Sequence, residues 1–219
     1  MQISQCFDAL TISGKSLSWR SATAALLLVT LAIAGPLSQA QAQEQSDPRW
    51  VTTWTASPST LPGQDDPQDP ARDQTIRLIS HSSVGGDSVR IRLSNTHGNG
   101  PITVGAASIA LQSEGSSIRA GSSAALSFSG QASVTIPKGA VVISDAINYP
   151  VPQMSNLSVS LYLPANSGFL TAHALSNQIN YLSAGGNQTQ STNLSNASET
   201  PAWPLLTAID VISPDSVSA

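Results

Sequence analysis

Cysteine, lysine and long apolar runs are scarce in this sequence of 219 residues, and each scarcity excludes a class of structure. The single cysteine, Cys6, excludes a disulfide within the chain and a metal site built from several thiolates. Nine Lys and Arg residues face thirteen Asp and Glu residues, for a formal net charge of −4. Non-specific nucleic-acid binding requires a basic surface, so we expect no nucleic-acid partner.

The longest apolar run, residues 22–34, is shorter than the roughly 20 residues that a membrane-spanning helix requires. Cations precede the run, and small residues follow it in the spacing of a cleavage site. This arrangement predicts that residues 1–42 are a secretory signal peptide cut after Ala42, with an uncleaved anchor as the alternative. Residues 43–219 contain no other comparable apolar run, so we expect no membrane span after cleavage and a secreted or periplasmic location.

Apolar and polar residues alternate with a period of two along most of the remaining chain, and helical periodicity is nearly absent. Residues 88–95 (SVRIRLSN) and 156–164 (NLSVSLYLP) are examples. This period indicates half-buried strands, and Gly-, Pro- and Asn-rich turns separate them at short intervals. The sequence therefore predicts one all-β domain over residues 43–219, a jelly-roll-like β-sandwich of about nine to eleven strands. Residues 205–219 are expected to begin a linker.

Two polar stretches, residues 57–73 and 185–204, do not fit the strand pattern. The first contains Asp65, Asp66 and Asp69, whose oxygens could bind Ca²⁺, but their spacing matches no known calcium loop and favours a solvated loop. We therefore expect neither a metal nor a cofactor. The second contains three Asn-x-Ser/Thr sequons, which are modified only in a host that glycosylates. Loops of this length often surround a site or join modules.

A Gly-Asp-Ser triplet at residues 86–88 has the letters of the nucleophile motif of GDSL ester hydrolases. A serine nucleophile needs a His to accept its proton and an acidic residue to orient that His. None of the three histidines follows an Asp by the three residues usual in this class: His81, His97 and His173. Two alternating runs flank residues 85–87, a pattern typical of a tight hairpin. We therefore predict a turn at this position and no catalytic residue in the chain.

Several segments resemble, in combination, the N-terminal β-domain of secreted SGNH/GDSL-family hydrolases: residues 50–58, 75–111, 133–152, 156–164 and 173–189. Residues 205–219 resemble the strand and linker that precede the catalytic α/β domain of that family, which carries the family's own Gly-Asp-Ser. The resemblance implies a non-catalytic accessory domain of an exported ester hydrolase acting on acyl esters of lipids or carbohydrates. Its expected partner is a C-terminal catalytic domain beyond residue 219.

Aromatic residues make up only 5% of the chain, so those in predicted strands are candidate binding residues. Trp50 and Trp54 are four residues apart and are expected on one face, where they could stack on sugar rings or pack against the core or another module. Arg90 and Arg92 form a polar face with the turn that follows, and it could hold a carboxylate or simply pair with nearby acids. The candidate binding residues are Trp50, Trp54, Arg90, Arg92, Asn95 and His173.

Three interpretations of function remain open at this point. The chain is the accessory domain of an SGNH-type hydrolase, or a stand-alone secreted β-sandwich that binds carbohydrate or another surface, or an enzyme with an unrecognised site around one of its histidines. The coding sequence just downstream separates the first from the others, because a catalytic domain would show Gly-Asp-Ser, Gly-x-Asn-Asp and Asp-x-x-His.

Overall fold

The computed structural model describes residues 49–60, 73–165 and 168–213, and every helix-or-strand element in these ranges is a β-strand. Sixteen strands pair antiparallel in four sheets, which confirms the expected all-β sandwich. The count exceeds the roughly nine to eleven strands expected because seven of them have only two or three residues. No helix able to span a membrane occurs in the described ranges.

Some predictions lie outside the described residues: the signal peptide at residues 1–42, the aspartates at positions 65, 66 and 69, and the last part of the linker, residues 214–219.

The strands are, in chain order, β1 (Trp50–Thr55), β2 (Ser59–Thr60), β3 (Gln74–Ser82), β4 (Gly86–Ser94), β5 (Ile102–Val104), β6 (Ala106–Leu111), β7 (Ala124–Leu126), β8 (Val134–Ile136), β9 (Val141–Ile143), β10 (Ile147–Val151), β11 (Ser155–Leu163), β12 (Thr171–His173), β13 (Asn180–Ala184), β14 (Ala197–Thr200), β15 (Trp203–Pro204) and β16 (Leu206–Ile212).

Two large sheets carry most of the structure. The five-stranded sheet has the order β1-β16-β4-β10, and β9 pairs with β4 beyond the end of β10. The six-stranded sheet has the order β14-β13-β3-β11-β6-β7. Smaller sheets, β15-β12-β2 and β5-β8, complete the pairing.

The apolar residues of the long strands form one buried core, as the period of two predicts. Ile76 and Leu78 of β3, Ile91 of β4, Leu161 of β11 and Ile209 of β16 are all fully buried in it. Full burial of a large aliphatic side chain is worth about 1.5–3 kcal/mol, so these strands supply much of the folding energy.

The connection between β3 and β4 is not the hairpin that the sequence predicted. The two strands belong to different sheets, so residues 83–85 carry the chain from one sheet to the other. Gly86 lies so close to β16 that a Cβ placed on it would stand 2.3 Å from the Ile212 carbonyl oxygen. A Cβ on Gly85 would stand 2.8 Å from the Val151 carbonyl oxygen. The glycines therefore permit close backbone contact rather than a tight turn.

The outer face of the six-stranded sheet is covered by loop 185–196 and segment 113–118, which lie over its polar side chains. Ser108 donates a hydrogen bond of 2.7 Å to the Thr189 carbonyl oxygen, and Thr75 donates one of 2.8 Å to that of Gly186. Both donors are buried. The polar residues of these strands thus face a polar loop instead of water, so the long loop is part of the packed structure.

Candidate functional site

Two arginines, a tryptophan and a buried aspartate meet on the outer face of the five-stranded sheet. Arg90 of β4 pairs with Asp210 of β16, which pairs in turn with Thr52 of β1, so antiparallel register places all three on one face. We call Trp50, Thr52, Arg90, Arg92 and Asp210 the arginine–tryptophan cluster. The cluster occupies the position in which sequence reasoning expected a polar arginine face.

Asp210 organises this cluster by accepting hydrogen bonds from three neighbours, although only 3% of its surface is exposed. Arg90 Nε lies 3.2 Å and Arg92 Nη2 3.4 Å from its Oδ2, and Thr52 Oγ1 donates to its Oδ1 at 2.7 Å. The Arg90 guanidinium stacks over Trp50 with its central carbon 4.2 Å from the ring centroid. Of the alternatives that the sequence left open, the arginines therefore pair with a nearby acid.

The arginine–tryptophan cluster carries one surplus positive charge, because two guanidinium groups share one carboxylate. The two arginine side chains remain 27% and 40% exposed, so water screens their ion pairs, and each is worth at most about 1 kcal/mol. The exposed side chain of Ile143 lies on β9 opposite Arg92. Positive charge, an aromatic ring and apolar surface therefore lie together on this part of the sheet.

Trp54 does not share a face with Trp50, contrary to the sequence expectation. A β-bulge between Thr52 and Trp54 leaves Thr53 without a partner on β16, and Trp54 then pairs with Ile209 of the core face. Thr53 Oγ1 donates to the Val84 carbonyl oxygen at 2.6 Å and accepts from the Val84 amide at 3.0 Å. The bulge inverts the alternation, because one extra residue moves the following side chain to the other face.

His173 lies with Trp54 and not with the arginines. Trp54 packs edge-on against Trp203 with ring centroids 4.8 Å apart, and the His173 ring is 5.9 Å from that of Trp203. His173 Nδ1 stands 3.0 Å from the Ser57 carbonyl oxygen, which can only accept, so Nδ1 carries the proton. The crevice beside His173 and Trp203 has essentially no room for a water molecule, and Trp54 and Trp203 pack against the core.

Asn95 is a buried structural residue, so the expectation that it belongs to the exposed arginine face is wrong. Its side-chain amide donates to the carbonyl oxygens of Gly100 at 2.9 Å and Ile136 at 3.0 Å. Its backbone amide donates to Ala140 at 2.8 Å. Asn95 is fully buried and braces the turn after β4 against β8 and the segment that precedes β9. The tendency of Asn to bond to nearby backbone groups explains this role.

Ser88 lies inside a sheet, between Ile212 of β16 and Asn148 of β10. Its hydroxyl donates to Asn148 Oδ1 at 3.3 Å, and within the described residues no histidine is bonded to it. The strand runs on to Ser94 without the helix that follows a nucleophile turn. Among the described residues, Ser88 consequently has no base in place to accept its proton.

A groove of about 470 Å³ opens at the end of the six-stranded sheet. Sequence reasoning named only one of its residues, His81, as one of three histidines around which an unrecognised site could lie. His81, Asn156, Gln112, Arg119 and Met154 line it, from β3, β11 and the connections between strands. The only available signal was the outward position of His81 in the β3 alternation. Its pairing with Asn156 depends on strand register, which one sequence does not supply.

Within the described ranges, no group of three or more His, Cys, Asp or Glu side chains is placed to hold a metal ion. No family model matches the chain, and no curated protein sequence matches it.

Proposed function

We propose that this chain is the non-catalytic N-terminal accessory domain of an exported SGNH/GDSL-type ester hydrolase. The observation that carries the proposal is the position of the Gly-Asp-Ser triplet, whose serine is paired on both sides within a sheet. This triplet gives close strand contact at Gly86 and supplies no activated nucleophile. The resemblance of the strand segments to the family's β-domain implies that the reaction belongs to a separate domain.

The end of β16 supports a specific place for that domain. Ile212 pairs with Trp50 on one side and with Ser88 on the other, so β16 ends beside the arginine–tryptophan cluster. Arg and Trp are enriched where protein surfaces meet. We propose that the cluster contacts the hydrolase domain through an acidic surface of that domain.

The test compares two lengths of the protein, starting from the coding sequence downstream of residue 219. We expect that sequence to continue with an apolar strand and Gly-Asp-Ser, followed by Gly-x-Asn-Asp and Asp-x-x-His. The longer product should hydrolyse short-chain nitrophenyl esters, whereas residues 1–219 alone should not exceed the buffer rate. Ser88→Ala in the longer product should leave its turnover unchanged.

Two results would overturn the proposal. Ester hydrolysis by residues 1–219 that disappears in Ser88→Ala would make this domain the enzyme. A downstream sequence without the three motifs would leave a stand-alone binding module as the better account.

A further inference from the structure

A chain of hydrogen bonds from Gly115 to His81 determines which nitrogen of the His81 ring can contact a ligand in the groove. Gln112 Nε2 donates to the Gly115 carbonyl oxygen at 2.8 Å, and a carbonyl oxygen can only accept. Gln112 Oε1 therefore accepts from Asn156 Nδ2 at 2.9 Å, and Asn156 Oδ1 stands 2.8 Å from His81 Nδ1. His81 Nδ1 therefore carries the proton of this hydrogen bond, which leaves Nε2 as the ring nitrogen that can contact a ligand hydroxyl.

Arg119 supplies a positive charge that no acidic side chain of the described residues neutralises. The ion pairs among the described residues both involve Asp210, and none involves Arg119. Its backbone is held firmly, because its amide donates to the Leu111 carbonyl oxygen at 2.8 Å and its carbonyl oxygen accepts from Ser122 Oγ at 2.7 Å. The described residues that line the groove include no carboxylate. A ligand carboxylate is the group that fits this side of it.

Met154 forms an apolar edge of the groove at a cost in backbone energy. Its φ of 51° lies in the left-handed region, which disfavours a non-glycine residue. The residue is 66% exposed, so burial of its side chain does not offset the backbone strain. Strained residues cluster at binding sites, and a flexible thioether side chain can adapt to the apolar face of a ligand.

We propose that this groove binds a uronic acid sugar, with the carboxylate at Arg119, the hydroxyls at His81 and the amides of Asn156 and Gln112, and the apolar ring face at Met154. The volume of about 470 Å³ is in the range of small-molecule sites. The groove lies on the six-stranded sheet, whereas the arginine–tryptophan cluster lies on the five-stranded one. The proposal therefore stands whether or not the chain serves a hydrolase.

The test is a titration of the isotope-labelled protein followed by NMR, with glucuronate, glucose and acetate as separate probes. We expect glucuronate to bind with a Kd of about 1 mM and to shift the signals of His81, Gln112 and Asn156. Glucose and acetate should bind at least about tenfold more weakly, because each lacks one half of the contacts. Arg119→Gln should weaken glucuronate binding about tenfold, since a hydrogen bond to a charged group is lost.

Matched variants separate this site from general attraction of an anion. Lys138→Gln removes an exposed cation in the turn before β9 and should leave the glucuronate Kd unchanged. Met154→Gly suits the left-handed backbone and should weaken binding without unfolding the domain. Equal affinity for glucose or acetate, an unchanged Kd in Arg119→Gln, or no binding at about 10 mM glucuronate would each refute the proposal.

Discussion

The two large sheets each carry arginine on the outer face of a central strand, but the two environments differ completely. Arg77 of the six-stranded sheet is fully buried and has no carboxylate partner among the described residues. Five oxygens accept its hydrogen bonds, at 2.6 to 3.4 Å: Ser160 Oγ and the carbonyl oxygens of Ser116, Thr192, Gln188 and Ser191. Arg90 and Arg92 of the five-stranded sheet remain partly exposed and share the Asp210 carboxylate.

The difference arises from what covers each sheet and not from the strands themselves. Loop 185–196 lies over Arg77 and points carbonyl oxygens at its guanidinium, so backbone dipoles replace both water and a counter-ion. Burial lowers the pKa of Arg77 from its ordinary value to about 10, which still leaves it charged at neutral pH. A buried arginine can thus serve as the centre that joins a polar loop to a sheet.

The largest expected effect on stability is that of replacing Arg77, the buried residue that joins loop 185–196 to the six-stranded sheet. Arg77→Met fills similar space but leaves five oxygens without their donor. Each buried unsatisfied acceptor costs about 1–3 kcal/mol, so we expect the free energy of unfolding to fall by at least about 3 kcal/mol. Arg77→Lys should lose a smaller amount, because an ammonium keeps the charge but not the planar fork. Urea unfolding followed by circular dichroism measures both changes.

Arg92→Met is the matched control on the other sheet. Its side chain is 40% exposed, so its removal should cost no more than about 1 kcal/mol. Limited proteolysis adds a second readout, since release of loop 185–196 in Arg77→Met should create new cleavage there. Equal losses from the two arginine variants would contradict the comparison between the sheets.

Asp210→Asn tests the partly exposed arginines of the five-stranded sheet. Its loss of stability should lie between those of Arg77→Met and Arg92→Met. The change leaves Arg90 and Arg92 without their shared carboxylate, and we expect the unfolding free energy to fall by about 1–2 kcal/mol at low salt. Because both arginines reach solvent, about 1 M salt should shrink this loss. The Arg77→Met loss should stay constant under the same salt. A salt-independent loss in Asp210→Asn would show that the cluster behaves as a buried site.

The alternation of apolar and polar residues was enough to predict the all-β sandwich, because burial of one strand face dominates the energetics. It could not predict which strands pair. The segments before and after residues 83–85 look like the two arms of a hairpin, yet β3 and β4 lie in different sheets. The alternation also could not predict that, among the described residues, a loop covers the outer face of one sheet and not of the other, because Arg77 and Arg90 occupy equivalent positions in their alternating runs.

The candidate site was predicted in part. Arg90 and Arg92 share a face as expected, because no bulge interrupts β4 between them. Trp54 was misplaced because the bulge at Thr53 depends on contacts with Val84, thirty-one positions away. Asn95 was misplaced because its backbone-like hydrogen bonds draw it inward. The pairing of Arg90 with Asp210 spans 120 positions, a separation at which a single sequence carries no signal.

The smallest expected effect concerns Asp145, a carboxylate that, like Arg77, is held by dipoles and not by an opposite charge. It accepts hydrogen bonds from Ser127 Oγ at 2.6 Å and from the amides of Ser129 and Gly130 at 2.9 and 2.7 Å. These two residues form the tip of a tight turn, with φ values of 52° and 77°. The hydrogen bond from Ser127, followed by that from Gly130, lowers the pKa of Asp145 below its ordinary value.

Because the pKa of Asp145 is lower in the folded than in the unfolded protein, its contribution is present above the unfolded pKa of about 4 and is lost as pH falls through the folded value. Asp145→Asn should therefore lower the melting temperature slightly at pH 7, and the difference from wild type should vanish at low pH. Thermal unfolding between about pH 7 and pH 2 measures this difference. Ser127→Ala removes the first donor and should reproduce part of the effect with the same pH dependence. A difference that persists unchanged to the lowest pH would mean that the side chain stabilises the turn by packing rather than by accepting these hydrogen bonds as an anion.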